Sequence, residues 1–252
     1  MVFPFLVILA GFLTGVFSGL YGIGGALILT PFLRIFLEQP DRIALGTTLP
    51  VIIPTALFGL LGRRGKGLFK ADVFFSSSAG MLVGSVLGSF LTGHVLIKYL
   101  MLATALLIFL TGIKMAFQLN ASFKIIPRQL KLRPVVVNFL LGFVAGLLSG
   151  LLGIGGGLVL VPGYIYLRNL SPFEATTTSL GVILIAALPG SFIHTLLGHV
   201  DWKLAFLLGL TTPMGSYLGS RLGLKLTGKE IEKGFGWLLI LTAMFFVLYE
   251  MK

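Results

Sequence analysis

Apolar positions run in long blocks, at about residues 3–37, 43–62, 72–93, 95–118, 135–167, 175–198, 203–224 and 234–249, with polar positions confined to short gaps between them. Most blocks have the length of roughly 20 residues that an α-helix needs to cross about 30 Å of hydrocarbon. Two are too long. As one helix, residues 3–33 would reach about 46 Å at 1.5 Å per residue, and residues 135–167 pose the same problem. The pattern therefore predicts membrane helices throughout, with a break inside the first and fifth blocks.

Both long blocks hold the same phrase. GFLTGVFSGLYGIGGALILTP (11–31) and GFVAGLLSGLLGIGGGLVLVP (142–162) agree at 13 of 21 positions and lie 131 residues apart. The offset persists: ALGTTL (44–49) falls on ATTTSL (175–180), and GSVLGSFL (84–91) falls on GSYLGSRL (215–222). Near the end it grows to 135, where TG (92–93) meets TG (227–228) and Lys98 meets Lys233. The expected organisation is a first membrane repeat (1–118), a basic cytoplasmic linker (119–134) and a second membrane repeat (135–252). Each repeat has four apolar segments, and together they form one all-α integral membrane domain. Such duplication is a recurring construction in secondary transporters.

Charge indicates how the repeats are oriented. Loop 63–72 has four Lys/Arg where its counterpart near 200–203 has one, and the next connection reverses this, with Lys98 alone against Arg221, Lys225, Lys229 and Lys233. Basic residues mark the cytoplasmic side, so the swap is what inverted repeats would produce. Inversion needs an odd number of crossings per half, which two short half-helices meeting at GIGG as a re-entrant hairpin would supply. Six full spans and two hairpins place 14 of the 19 Lys/Arg on the linker side, against 11 for eight simple spans. Eight tilted or kinked spans remain the alternative, because tilt also absorbs excess length.

Composition agrees. Hydrophobic residues make up 56% of the 252 and charged residues 11%, with a mean hydropathy of +1.04, whereas a soluble domain has roughly 25% charged residues. The partner this implies is a lipid bilayer, in the plasma or inner membrane of a cell. The net charge of +11 sits in interhelical loops without interleaved aromatics, which argues against nucleic acid. The absence of cysteine excludes disulfides and thiolate metal sites. No metal or cofactor is expected: GxxxxGK[ST] is absent, and GIGGG lies within lipid-length apolar runs rather than in a dinucleotide-binding βαβ unit.

The glycines suggest the chemistry. Irregular backbone at membrane depth survives only inside protein or along a watery cavity. Glycine allows the dihedrals of a break and close approach to the backbone. A broken helix presents a free N-terminus that attracts anions, although tight packing through small residues is the alternative role. No carboxylate appears central in an apolar block, where a cation site or proton relay would place one. Hydroxyls appear instead, with Thr47 and Thr48 matching Thr178 and Ser179, and these serve either as ligands or as helix caps. Ser18 and Ser149 lie one turn before each break, with packing their expected role. His94 and His199 border polar loops, and His194 falls opposite Arg63 by the offset.

At these residues the chain resembles the TauE/SafE family of membrane proteins, identified as sulfite or organosulfur-anion exporters. The paired SGLYGIGGALILTP and SGLLGIGGGLVLVP phrases, the ALGTT and ATTTS stretches and the GSxLGS motifs convey the resemblance, which covers nearly the whole chain. It implies export of sulfite, thiosulfate or sulfonates without ATP hydrolysis by the chain. By position it offers Gly22, Gly24, Gly25, Thr47 and Thr48 from the first half, and Gly153, Gly155, Gly156, Thr178 and Ser179 from the second, as substrate-binding residues. Ala26 stands where the second copy has Gly157, so a tighter first hairpin is expected. Dimers are common among such carriers, though nothing in the sequence demonstrates a homodimer.

Two rival readings stay open. An anion channel would use the same half-helix N-termini. An intramembrane serine hydrolase would need a base near its nucleophile, and the one conceivable pair is Ser149 with His194. A secondary carrier using alternating access, and not an enzyme, fits best.

Overall fold

A computed structural model describes residues 2–91, 97–119, 133–153 and 155–250, apart from the side chains of 2–4, 97–103 and 248–250. His94 and nearly all of the 119–134 linker lie outside the described residues. The chain is all-helical, and the described residues contain no strand. In order the helices are α1 (Val2–Tyr21), α2 (Ala26–Ile35), α3 (Asp41–Gly62), α4 (Ala71–Leu91), α5 (Ile97–Ala116), α6 (Pro134–Leu152), α7 (Gly157–Arg168), α8 (Pro172–Leu196), α9 (Trp202–Gly223) and α10 (Gly228–Glu250). Of these, α3, α4, α6 and α8 are, among the described residues, long and apolar enough to cross a membrane.

Both long apolar blocks are broken at their glycines, as the pattern predicts. Gly22 and Gly153 close the preceding helices, each donating its N–H to the carbonyl four residues back (Ser18 and Ser149, 2.8 Å). They do so with φ of 71° and 58°, the left-handed cap that glycine adopts without strain. The arms, however, are not the two short half-helices expected. α1 has 20 residues and α2 has 10, or about 30 and 15 Å of helix; α6 and α7 have 19 and 12. A long arm runs out and a short arm returns. Gly25 sits beside Thr14 and Ser18 of α1, and Leu29 and Leu33 of α2 pack with Val7 from the start of α1.

Glycines also let the long helices touch backbone to backbone. Gly11, Gly15 and Gly19 of α1 lie in order against Leu208, Thr212 and Ser216 of α9, so close that a Cβ at Gly15 or Gly19 would overlap a carbonyl oxygen. These two helices run in the same direction. Gly142, Gly146 and Gly150 of α6 meet Ser77, Met81 and Ser85 of α4 in the same manner. α3 runs with α9, where Gly62 meets Ser220, and against α8, where Gly59 meets Leu180 and Gly190 meets Leu49. α5 runs against α10, with Gly112 beside Ile240 and Gly236 beside Ala116. Small residues that bring backbones together are how helices associate where lipid removes the hydrophobic drive between them.

Burial is reversed relative to a soluble protein. Phe75, Phe192 and Phe206 stand exposed on the periphery, while Thr48, Thr55, Ser179 and Ser216 are buried. The apolar periphery suits hydrocarbon, and the hydroxyls of Thr48, Thr55 and Ser179 find carbonyl acceptors inside.

Polar contacts define two ends. One end gathers Lys70 with Glu174 (2.7 Å), Arg168 with Asp72 (3.8 Å) and Arg63 against Gly223. The opposite end gathers Arg34 with Asp41 (2.8 Å) and the loop 197–201, whose Asp201 N–H donates to the Thr47 hydroxyl at 2.9 Å. Ser171 with Glu174 forms a reciprocal capping box at the start of α8, and the Asp201 carboxylate accepts from two N–H groups at the start of α9. Each of these ties a loop to a helix N-terminus.

Because Arg63 abuts Gly223, positions 65 and 225 lie at one end. In the otherwise cysteine-free chain, Gly65→Cys and Lys225→Cys are expected to react with an impermeant maleimide from the same side of the membrane. Labelling from opposite sides would contradict this packing.

Candidate functional site

The two glycine breaks meet in the interior. Gly24 faces the side chains of Ile52 (α3) and Ile183 (α8), residues 131 apart in sequence, and a Cβ on Gly24 would crowd Ile183. Gly155 faces the Ile23 carbonyl, and Gly157 lies against the Ile23 Cα and the Gly22 carbonyl. Any side chain at 157 would collide with that backbone, whereas Ala26 is accommodated. The Ala26/Gly157 difference thus reflects how one break lies over the other. Gly24, Gly25 and Gly155 have φ of 77°, 91° and 74°, dihedrals that side chains rarely adopt. Gly156 departs from this, with an ordinary helical φ of −81°.

Hydroxyls hold the breaks. Ser179 of α8 donates to the Gly22 carbonyl at 2.8 Å. Thr30 of α2 donates to the Gly153 carbonyl at 2.9 Å and lies 3.3 Å from the Thr48 hydroxyl; Thr48 itself donates to Leu45 O at 2.8 Å. In both cases the hydroxyl comes from the other side of the linker. Thr47 and Thr178 are not drawn into this cluster. They accept from the N–H of Asp201 (2.9 Å) and of Lys70 (3.1 Å), fastening the loops ahead of α9 and α4 at opposite ends of the bundle.

Around the start of α2 the environment is polar in a way the motif comparison missed. The N-cap is Gly25, which offers no capping side chain, so the first N–H groups of α2 rely on their surroundings. Thr14, Ser18 and Thr55 surround Gly25, the two threonines with their methyl groups towards it. Thr55 shares a 2.6 Å hydrogen bond with Thr212, and the buried Ser18 hydroxyl has no partner. Gly156, at the start of α7, meets Met81 and Ala145 instead. The signal was present in the 131-residue offset, which sets Thr14 against Ala145, Thr55 against Ala186 and Thr212 against Met81. Matching identities drew attention to the conserved phrase, whereas the polar-for-apolar exchanges mark the chemistry.

Arg63 and His194, opposite each other by the offset, behave differently. Arg63 is 3% exposed. Its guanidinium donates to the Gly19 and Leu20 carbonyls that end α1 (2.7 and 2.9 Å) and to the Thr176 and Thr177 hydroxyls at the start of α8. A cation on the C-terminal carbonyls of α1 is favourably placed in the helix dipole. It also borders a cavity of about 370 Å³ formed with Arg64, Phe69 and Thr177. His194 is buried too, but neither ring nitrogen has a partner, and its ring lies 5.5 Å from that of His199. His194 therefore shares no hydrogen bond with Ser149, as a nucleophile–base pair would. Burial, with the Arg42 charge adding to it, lowers the pKa of His199 below the usual imidazole value.

Two broken helices cross in the buried interior of a bundle whose apolar periphery suits lipid, the build of a membrane protein. The sequence profile of the family described as "Sulfite exporter TauE/SafE" matches residues 7–246, and the chain belongs to that family. It is similar to the probable membrane transporter protein YunE of Bacillus subtilis, with 29% identity over 92% of each chain. A second Bacillus subtilis protein, the probable membrane transporter YdhB, is 30% identical over 86% of this chain and 89% of its own. The probable membrane transporter MJ0441 of Methanocaldococcus jannaschii is 27% identical over 90% of this chain and 89% of its own. No solved structure matches.

Removing the Ser179 hydroxyl leaves the Gly22 carbonyl buried and unpaired. Ser179→Ala is expected to cost about 1–3 kcal/mol, read as a lower unfolding midpoint of the purified protein in mild detergent. An unchanged midpoint would show that the break is held by other means.

Proposed function

We propose that this membrane transporter is a secondary carrier, in the exporting direction, for small sulfur-containing anions such as sulfite, thiosulfate or sulfonates. It is built as two inverted repeats, 1–118 and 135–252, with the substrate held where their glycine breaks cross. The observation that supports this most directly is the start of α2, which has no side-chain cap and lies among the buried, carboxylate-free side chains of Thr14, Ser18 and Thr55. A helix N-terminus and hydroxyl donors attract an oxyanion without a fixed cation, and none of the residues around Gly25 is acidic. Membership of the sulfite exporter TauE/SafE family supports the substrate class and direction.

Inversion draws support from the directions of the long helices. α1 runs with α3 and α9, whereas α6 runs with α4, and α3 runs against α8. The equivalents by the 131-residue offset, α1 with α6 and α3 with α8, therefore point in opposite directions. Each half then crosses the bilayer an odd number of times, with the glycine stretch and short helix making the return. The basic loops at the Arg63 end support a cytoplasmic position for that end, in a cell membrane. Gly22, Gly24 and Gly25 with Gly153, Gly155 and Gly156 shape the crossing. Thr48 and Ser179 position it, and Thr47 and Thr178 anchor the loops around it. Alternating access follows from rocking of one repeat against the other.

Flux in proteoliposomes tests the proposal, using sulfite, thiosulfate, sulfate, a sulfonate and a carboxylate control. Saturable movement of a sulfur anion is expected, and it should fall to background in Gly24→Leu and Gly155→Leu variants that still insert into the membrane. Conductance far above carrier turnover would replace the carrier with a channel. Undiminished flux in both variants would remove the crossing as the site.

A further inference from the structure

Three fully buried positions change character between the halves. Val7, Leu33 and Leu208 pack together in an apolar cluster between α1, α2 and α9. By the offset their equivalents are Asn138, Tyr164 and Ser77, between α6, α7 and α4. The packing supports the equivalence, because Gly11 rests on Leu208 as Gly142 rests on Ser77. All six residues are at most 1% exposed. One gap is thus sealed by hydrocarbon, and the matching gap is filled with polar groups.

Those polar groups are incompletely partnered. The Tyr164 hydroxyl and the Ser77 hydroxyl approach one another without closing a well-formed hydrogen bond, and the Asn138 Oδ1 has no donor. The other end of the Asn138 amide donates to Ser76 Oγ at 2.9 Å, so one polar atom stays unpaired whichever way the amide is turned. Leaving such atoms unpaired in a dry interior is costly, and the other half shows that this framework accepts apolar residues at the same places. Tyr164 lies one helical turn from Arg168, whose Nε is likewise unpartnered and whose contact with the exposed Asp72 carboxylate is a loose 3.8 Å. The polar groups therefore line up from the cytoplasmic end inward. From Tyr164 to the start of α7 the helix continues for about 10 Å past Leu160 and Val161, which close the route in this conformation.

We infer that the gap between α4, α6 and α7 is the anion's passage from the cytoplasmic end, with Ser77, Asn138 and Tyr164 forming a polar way-station that binds the oxyanion before α7 shifts to admit it to the crossing. The hydroxyls of Ser77 and Tyr164 donate to anionic oxygens, and the Asn138 carbonyl accepts from a protonated oxygen or an accompanying water. The matched gap between α1, α2 and α9, towards the opposite end, is closed by apolar side chains in this conformation. This rests on the carrier reading above, and it adds where the anion is received from the cytoplasmic end.

The chain has no native cysteine, so Ser77→Cys and Leu208→Cys form a matched pair. The probe is a sulfonate-bearing methanethiosulfonate, small and anionic like the proposed substrate, applied to the protein in vesicles. Ser77→Cys is expected to label roughly 10-fold or more faster than Leu208→Cys, a margin of the size one or two hydrogen bonds supply, and an unreactive sulfonate should slow it. Equal rates for the two, or no labelling of either, would overturn the passage. Labelling of Ser77→Cys that is as fast with a neutral reagent and unprotected by sulfonate would reduce the cluster to a water pocket and overturn it equally. Labelling needs no flux, so selective labelling of a protein that moves no sulfur anion would fault the carrier reading alone. As a second variant, Tyr164→Phe is expected to reduce sulfur-anion flux about 10-fold while its unfolding midpoint stays level or rises. Unchanged flux in Tyr164→Phe would contradict the way-station.

Discussion

A backbone that leaves the helix at membrane depth exposes carbonyl and N–H groups that lipid cannot satisfy, and most of this structure follows from meeting that demand twice. The Gly22 and Gly153 carbonyls are the exposed groups. Ser179 takes one and Thr30 takes the other, each reaching across from the opposite side of the linker. Neither break can therefore be satisfied within its own half, and the two halves must interlock before either is stable. The same requirement explains why glycine recurs where it does. A Cβ at Gly157 or Gly24 would push the breaks apart and pull these carbonyls away from their hydroxyls.

Interlocking sets the rest of the packing. α1 nests against α9 and α6 against α4 through glycines that leave no room for side chains, so the helices that begin each half are clasped by helices of the other. Arg63 reinforces one corner by holding the end of α1, the end of α3 and the start of α8 together through a single guanidinium. The ring of its positional counterpart, His194, makes no hydrogen bond. The two corners are thus braced unequally: one by a guanidinium bonded to carbonyls of α1 and hydroxyls of α8, the other by packing of an imidazole.

How much of this could be read from the sequence depends on which physical signal was used. Apolar block length gave the helices, and excess length gave the two breaks. GIGG located them to the residue, because few other sequences tolerate positive φ at Gly22, Gly24 and Gly25. Length could not tell a hairpin of two equal arms from a full helix with a short return, since both use about 31 apolar residues. Thr47 and Thr48 read alike in sequence but diverge in space. A helix turns 100° per residue, so adjacent hydroxyls point apart, Thr48 towards the crossing and Thr47 to the Asp201 amide. No periodicity argument can choose between them without knowing which neighbour lies on each face.

The deeper limit lay in treating a duplication as a source of likenesses. Identity between the halves records what the shared framework requires, namely the glycines, the break and the closing helices. Transport requires something the framework alone cannot provide, because a symmetric assembly would present the same surface on both routes. Divergence between matched buried positions is where that symmetry is broken. Thr14, Thr55 and Thr212 replace the apolar residues of the other half around the start of α2, while Ser77, Asn138 and Tyr164 replace the apolar seal of the opposite gap. Both sets are buried, and both retain polar groups that apolar residues could have replaced at their counterparts without disturbing the packing. Once the fold pairs the positions, the places where a duplicated chain disagrees with itself become the most informative positions in its sequence.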